Sequence, residues 1–236
     1  MSSLLENLFG ESEIAVTTHQ INQFLIYEKL MLEWNQKVNI TAITNSRDIY
    51  IKHFIDSAIV SRYIVAGSNY SLIDVGTGGG FPGIPMKIID ESIELTLLDS
   101  LNKRIAFLQA VTETLNLKYV KIIHGRAEDF GLNSGFREQY DVATSRAVAS
   151  INVLTEYCLP FVKVGGFFIA LKGDNVEDEL KNGEKAVKLL GGAITEVKKY
   201  KIPGTDLSRS VILIKKIANT PEKYPRKAGT PSKKPL

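Results

Sequence analysis

The segment LIDVGTGGGFPGIP, residues 72–85, limits most strongly what this chain can fold into. A short apolar run carries Asp74, the glycines Gly76, Gly78, Gly79 and Gly80 follow at once, and a helical stretch begins directly after them. A strand–turn–helix unit of this kind lets backbone approach a ligand closely at the carboxyl end of a first strand, where open α/β sheets bind cofactors. The plain alternative is a glycine-rich turn that holds no ligand.

The rest of the chain supports a sheet of that type. Apolar runs at 71–76, 93–99, 120–125, 140–147 and 165–173 alternate with segments long enough for crossover helices, as in a parallel α/β sheet. Two further runs, 194–202 and 208–216, are separated only by a short link containing Pro203 and Gly204, too short for a helix, so they are expected to pair as an antiparallel hairpin. Five parallel strands closed by an antiparallel sixth and seventh resemble the seven-stranded, Rossmann-like mixed sheet of class I methyltransferases. Ahead of it, Ile21, Phe24, Leu25, Leu30, Leu32 and Trp34 recur at helical spacing. The expected organisation is a helical extension over 1–66, a core over 67–217 and a basic tail over 218–236, with neither an internal repeat nor a second catalytic domain.

The glycine loop also discriminates between cofactors. A dinucleotide site wants glycine at the first, third and sixth positions so that a pyrophosphate can sit on the helix N-terminus. Here the sixth position is Phe81, and Pro82 and Pro85 remove amide donors from the region that would hold phosphate. S-adenosylmethionine carries no phosphate, and the loop need only admit its methionyl chain beside an apolar wall from Phe81. Asp99 ends the second run, 23 positions after Gly76, where a ribose would present its hydroxyls to a carboxylate. The same aspartate also reads as a cap for the following helix. In HGRAEDF, Ala127 and Glu128 fall in the loop expected to flank an adenine: a small residue admits the base and a polar neighbour meets its edge.

Composition excludes several classes. Cys158 is the only cysteine, so there is no internal disulfide, and the three histidines lack metal-ligand spacing; no metal is expected. The longest apolar runs, FFIAL and VILI, are far below the roughly 20 residues of a membrane helix. The start, MSSLLENLFGESE, does not read as a secretory signal, so a cytoplasmic location is expected. Net charge is +3, permissive for nucleic acid. The charge is concentrated near the C-terminus, where Lys215, Lys216, Lys223, Arg226, Lys227, Lys233 and Lys234 face one acid, Glu222.

Taken together, DVGTGGGFPGIP, DSLNKRIAFL, GRAEDF, TSRAVAS and the terminal YPRKAGTPSKKPL resemble the RsmG family, also called glucose-inhibited division protein B. WNQKVNIT and HFIDS extend the resemblance into the N-terminal helices, so it runs nearly end to end. It implies methyl transfer from S-adenosylmethionine to N7 of one guanine, nucleotide 527, in 16S ribosomal RNA. It carries cofactor contacts onto Gly76, Phe81, Ala127, Glu128 and Arg146; Gly78 joins them from the loop and Asp99 from the strand argument. For Arg146, two roles stay open: pairing the methionyl carboxylate, or orienting the base by donating to guanine O6. No other catalytic residue is assigned.

The chemistry agrees by omission. Guanine N7 has an in-plane lone pair and no proton, so alignment suffices and no general base is needed. The [Asp/Asn]-Pro-Pro-aromatic pattern of exocyclic-amine methylation is replaced here by SRAVA, and Cys158, in EYCLPFV, reads as core and not as a nucleophile. His53 and Asp56 are candidates for the acceptor side. The partner is 16S ribosomal RNA or a small-subunit precursor, met by a monomer, with Lys163, Lys172 and the tail lysines neutralising phosphates and Tyr224 stacking on an unpaired base. Competing readings are a methyltransferase for another RNA or a small molecule, and a catalytically silent RNA-binding protein.

Overall fold

Side chains alternate across the sheet, and each face has its own core. In β1 (Ser71–Val75), Leu72 enters one hydrophobic cluster while Ile73 and Val75 enter the other. Likewise β2 (Glu94–Asp99) sends Leu95 and Leu97 one way and Leu98 the other. The computed structural model describes residues 2–64, 69–146 and 149–236. The expected boundary at 66–67 lies outside these residues, as do Ala147 and Val148.

The remaining strands are β3 (Val120–His124), β4 (Tyr140–Ser145), β5 (Val162–Lys172), β6 (Gly192–Lys201) and β7 (Ser208–Lys216), in the order β3-β2-β1-β4-β5-β7-β6. All seven expected strands form, and β1 to β5 pair in parallel. One detail of the hairpin differs from expectation. β7 is antiparallel to both β5 and β6, so it alone runs against the sheet, and β6 shares the direction of the other five strands at the edge. After the short link, β7 lies between β5 and β6.

Among the described residues, four α-helices precede β1: α1 (Ser2–Glu11), α2 (Thr18–Asn35), α3 (Ser46–Ile49) and α4 (Asp56–Ala58). Between α3 and α4, Tyr50–Ile55 forms a π-helical turn, and Ile59–Tyr63 closes the stretch as a 3₁₀ turn. α2 starts with a capping box: Thr17 accepts from the Gln20 amide, and the Gln20 side chain accepts from the Thr17 amide. The same Gln20 donates to the carbonyls of Ile88 and Ile89, tying α2 to the end of α5 (Gly83–Ile89). The buried face of α2 carries Ile21, Phe24, Tyr27, Glu28 and Met31, with Leu25, Leu30, Leu32 and Trp34 partly buried beside it. These helices, with α5 and α6 (Asn102–Thr114), cover the first face of the sheet.

The opposite face is covered by α8 (Ile151–Cys158) and α9 (Glu177–Leu189). Short helices also include α7 (Ala127–Phe130) after β3, and α10 (Thr230–Lys233). The C-terminal residues lie folded on α7 and α8. Tyr224 is buried in the second core, Lys216 is fully buried against Glu138, and Arg226 pairs with Glu156. Two groups expected to reach outward, Lys216 and Tyr224, are thus internal and Arg226 is half-buried in an ion pair, while Lys215, Lys223, Lys227, Lys233 and Lys234 stay exposed. Lys172 is also engaged, with Glu179 and the Ala149 carbonyl, and the half-exposed Lys163 pairs with Asp141. No described helix is long and apolar enough to cross a membrane.

Candidate functional site

Two buried carboxylates shape the glycine loop. Asp74 sits on β1 with no exposed surface, and its Oδ2 accepts from Thr77 Oγ1 at 2.7 Å and from the Gly83 amide at 2.8 Å, joining strand end to helix start. A side chain at Gly83 would crowd this junction, since a Cβ there would stand 2.9 Å from that same oxygen. Asp74 Oδ1 has no hydrogen-bond partner among the described residues, and burial raises the carboxyl to about 6. Asp99, at the end of β2, accepts from the Gly78 amide at 2.8 Å through Oδ2 and from the Leu101 amide at 2.9 Å through Oδ1. Arg104 adds a longer contact at 3.3 Å. Asp99 is not the N-cap of α6, a position held by Leu101 without a side-chain cap bond; it binds the glycine loop with one oxygen and the amide of the cap residue with the other. Gly76 and Gly78 take φ of 71° and 61°, left-handed values that favour glycine.

Above this loop, the carboxyl ends of β1 to β4 open on a cleft of about 220 Å³. Its floor is Val75, Gly76 and Leu98, with Asp99 on the β2 side. Gly125, Arg126, Ala127 and Glu128 form the wall after β3. Ser145, Ala149, Leu154 and Tyr157 form the wall from β4 and α8. Among the described residues, nothing lies within 4 Å of where a Cβ on Gly76 would be, so its bare backbone faces open space. Glu128 is buried, and its Oε1 accepts from the Gly229 amide at 2.8 Å.

Of the seven residues singled out in the sequence, Gly76, Asp99, Ala127 and Glu128 line this cleft, and Gly78 reaches it through Asp99. Phe81 and Arg146 do not line it. They meet under the N-terminal helices, where the Arg146 guanidinium lies 4.8 Å from the Phe81 ring centre. Arg146 donates to the Lys52 carbonyl at 3.0 Å, to Ser57 Oγ at 3.2 Å and to His53 Nδ1 at 3.1 Å, and stands 3.5 Å from Asp56. Burial lowers its affinity for the proton, and Asp56 and Asp74 oppose that effect.

His53, carried on the π-helical turn, stacks on Phe81 at 4.5 Å and bonds Thr41 Oγ1 through Nε2 at 2.8 Å. Because a guanidinium only donates, His53 Nδ1 must accept and Nε2 carries the proton. Burial, and then the charge of Arg146, lower this imidazole to about 3. Asp56 is buried and also receives Tyr200 Oη at 3.0 Å and approaches Arg209 at 3.4 Å. His53 and Asp56, candidates from HFIDS, are therefore assembled around Arg146.

Sequence reading missed two groups here. Tyr27, which donates to the Gly79 carbonyl and stacks on Phe81, gave only a helical apolar signal. The Gly229 contact to Glu128 spans 101 positions and left no local trace. Cys158 is fully buried and its thiol is pushed well up by burial, in keeping with a core residue. Among the described residues, no three His, Cys, Asp or Glu side chains gather as a metal site.

Comparison with solved structures finds the same fold at low identity. The TYW2 protein of M. jannaschii in complex with AdoMet matches with a TM-score of 0.53 at 12% identity, over 69% of this chain and 77% of that one. A putative methyltransferase complexed with the Haloferax volcanii Trm112 activator matches with a TM-score of 0.60 at 11% identity, over 80% and 98%. Sequence relatives are much nearer. The ribosomal RNA small subunit methyltransferase G of Alkaliphilus oremlandii is 54% identical over 94% of this chain and 93% of its own. That of Clostridium tetani is 48% identical over 99% and 98%. The family model described as GidB, rRNA small subunit methyltransferase G, matches residues 20–211, from α2 through the cleft into β7, and the chain belongs to that family.

Proposed function

We propose that this chain transfers a methyl group from S-adenosylmethionine to N7 of one guanine, nucleotide 527, of 16S ribosomal RNA, as free RNA or in a small-subunit precursor. The observation that carries the reading is the cleft at the strand ends, where the open backbone of Gly76, the carboxylate of Asp99 and the Ala127–Glu128 wall converge in a member of an rRNA methyltransferase family. These residues fit the cofactor. Asp99 accepts from ribose hydroxyls, Ala127 leaves room for the adenine, Leu98 and Leu154 give apolar contact, and Gly76 admits the methionyl chain past a backbone without a Cβ. When bound, the cofactor supplies an electrophilic methyl on a sulfonium.

The protein's part is alignment. Guanine N7 attacks with its own lone pair, so no side chain has to remove a proton. Two observations support N7 over other acceptors: the sole thiol is sealed in the core, and Ser145 and Arg146 stand at the end of β4 where amine methylation uses an Asp/Asn-Pro-Pro-aromatic run. Arg146, held by His53, Asp56 and Ser57, stands between the N-terminal helices and β4 as the group that orients the base. The exposed tail lysines beside α7 and α8 neutralise phosphates of the RNA. The test is incubation with methyl-labelled S-adenosylmethionine and unmodified small subunits or their RNA, followed by nucleoside analysis. Label in 7-methylguanosine at one position is expected; label in another nucleoside, or none in either substrate, overturns the proposal.

A further inference from the structure

We propose that residues 218–236 form a strap that holds the two walls of the cofactor cleft in register, so that closure of the strap and binding of the cofactor favour each other. The inference rests on the cofactor reading above and assigns a role to a segment beyond the end of the family match at 211.

The two walls come from separate parts of the sheet. α7 follows β3 and α8 follows β4, and in the strand order β3-β2-β1-β4 two strands stand between them. Among the described residues no strand ladder joins the walls at the mouth of the cleft; α7 and α8 touch there directly, and the strap bonds to both. On the α7 wall, the Gly229 amide donates to Glu128 Oε1 at 2.8 Å. Pro225 packs so closely on Gly131 that a Cβ there would come within 2.9 Å of it. Arg137 locks this side, donating to the carbonyls of Gly131 and Tyr224 at 2.8 Å and of Thr220 at 2.6 Å.

On the α8 wall, Glu156 has no exposed surface and receives Arg226 through Nε at 2.9 Å, Nη2 at 2.6 Å and the backbone amide at 2.8 Å. Leu154 and Tyr157 of the same helix line the cleft. Asn152 donates to the carbonyl of Leu236 at 3.1 Å, fixing the far end. A glutamate on the cleft wall has several rotamers to lose when a ligand orders it, and a strap that has already fixed Glu128 removes that cost from binding. By reciprocity the cofactor must then stabilise the closed strap by the same factor.

The experiment uses the full chain with S-adenosylhomocysteine as the probe. Hydrogen exchange of residues 221–236 is followed with and without the probe. Its Kd is measured by calorimetry for the wild type and for the double variant E156L/R226M, which replaces both members of the buried pair and leaves no charge orphaned. Exchange slowed about fivefold or more by the probe, with Kd raised by a similar factor in the double variant and little change in Tm, supports the strap. Strap exchange indifferent to a probe that binds, with unchanged Kd in the variant, overturns it while leaving the cofactor reading intact. If the wild type does not bind the probe, the cofactor reading fails and the strap's role with it. If the double variant does not fold, the wild-type exchange decides alone.

Discussion

Replacing Asp99 with alanine removes the one side chain that the glycine loop, the start of α6 and the proposed ribose share. In the folded protein the carboxylate is buried and accepts from the amides of Gly78 and Leu101 at 2.8 and 2.9 Å. Hydrogen bonds to a charged group contribute about 1.5–3 kcal/mol each, so losing even one ribose contact weakens cofactor binding by roughly 10- to 150-fold. Losing the two amide contacts costs stability separately, about 1–3 kcal/mol for each donor left unpaired. Asp99→Asn keeps one carbonyl oxygen and the side-chain shape, so it should fall between wild type and alanine in both respects. Calorimetry with S-adenosylhomocysteine, at a temperature where thermal unfolding shows each variant to be folded, separates the two effects. A folded alanine variant that binds within about twofold of wild type would refute the assignment of Asp99 to the ribose.

Three further outcomes follow from the buried charges. Burial raises Asp74 from 3.8 to about 6, so between those values the native state holds a proton that the unfolded chain releases, and this group makes stability fall as pH rises through the window, by about 3 kcal/mol at most. Urea unfolding of Asp74→Asn against wild type between pH 4 and 7, as flagged by that window, should show this slope missing from the variant; parallel curves would contradict it. His53 has the opposite sign. Its folded value near 3 lies below 6.5, so its contribution is complete above pH 6.5 and is lost as the pH falls toward 3, and His53→Gln should lose less stability on acidification than wild type. Equal acid sensitivity in the same unfolding assay would count against the neutral imidazole. Arg226→Met alone leaves Glu156 buried without its cation and should cost about 3–5 kcal/mol in urea unfolding, far more than E156L/R226M; equal costs would show that the pair is not coupled.

The parts of this protein that could be read in its sequence are those whose cause is local. Strand runs such as ELTLLD and crossover stretches such as NKRIAFLQAVTET show their period within a few residues, and they form β2 and α6. The glycine loop and Asp99 were legible because a turn must be made where a strand ends. What stayed hidden depends on partners far along the chain. Glu156 reads as an ordinary helix acid until Arg226, 70 residues later, closes on it. Lys216 and Tyr224 read as part of a basic arm, yet the first is buried against Glu138 and the second within the core. The direction of β6 could not be read either, because a short link shows that β6 and β7 pair but not which of them docks on β5. Arg146 was legible as a residue after β4, but its four partners come from the helices around HFIDS, which no spacing rule brings to it.

The central claim, methylation of one guanine at N7 in small-subunit RNA, is tested most directly by mass spectrometric mapping of 16S ribosomal RNA from cells with and without this protein. The account predicts that 7-methylguanosine disappears at one position, nucleotide 527, and returns when the protein is restored. An unchanged map would contradict it and would require another acceptor for the same cleft.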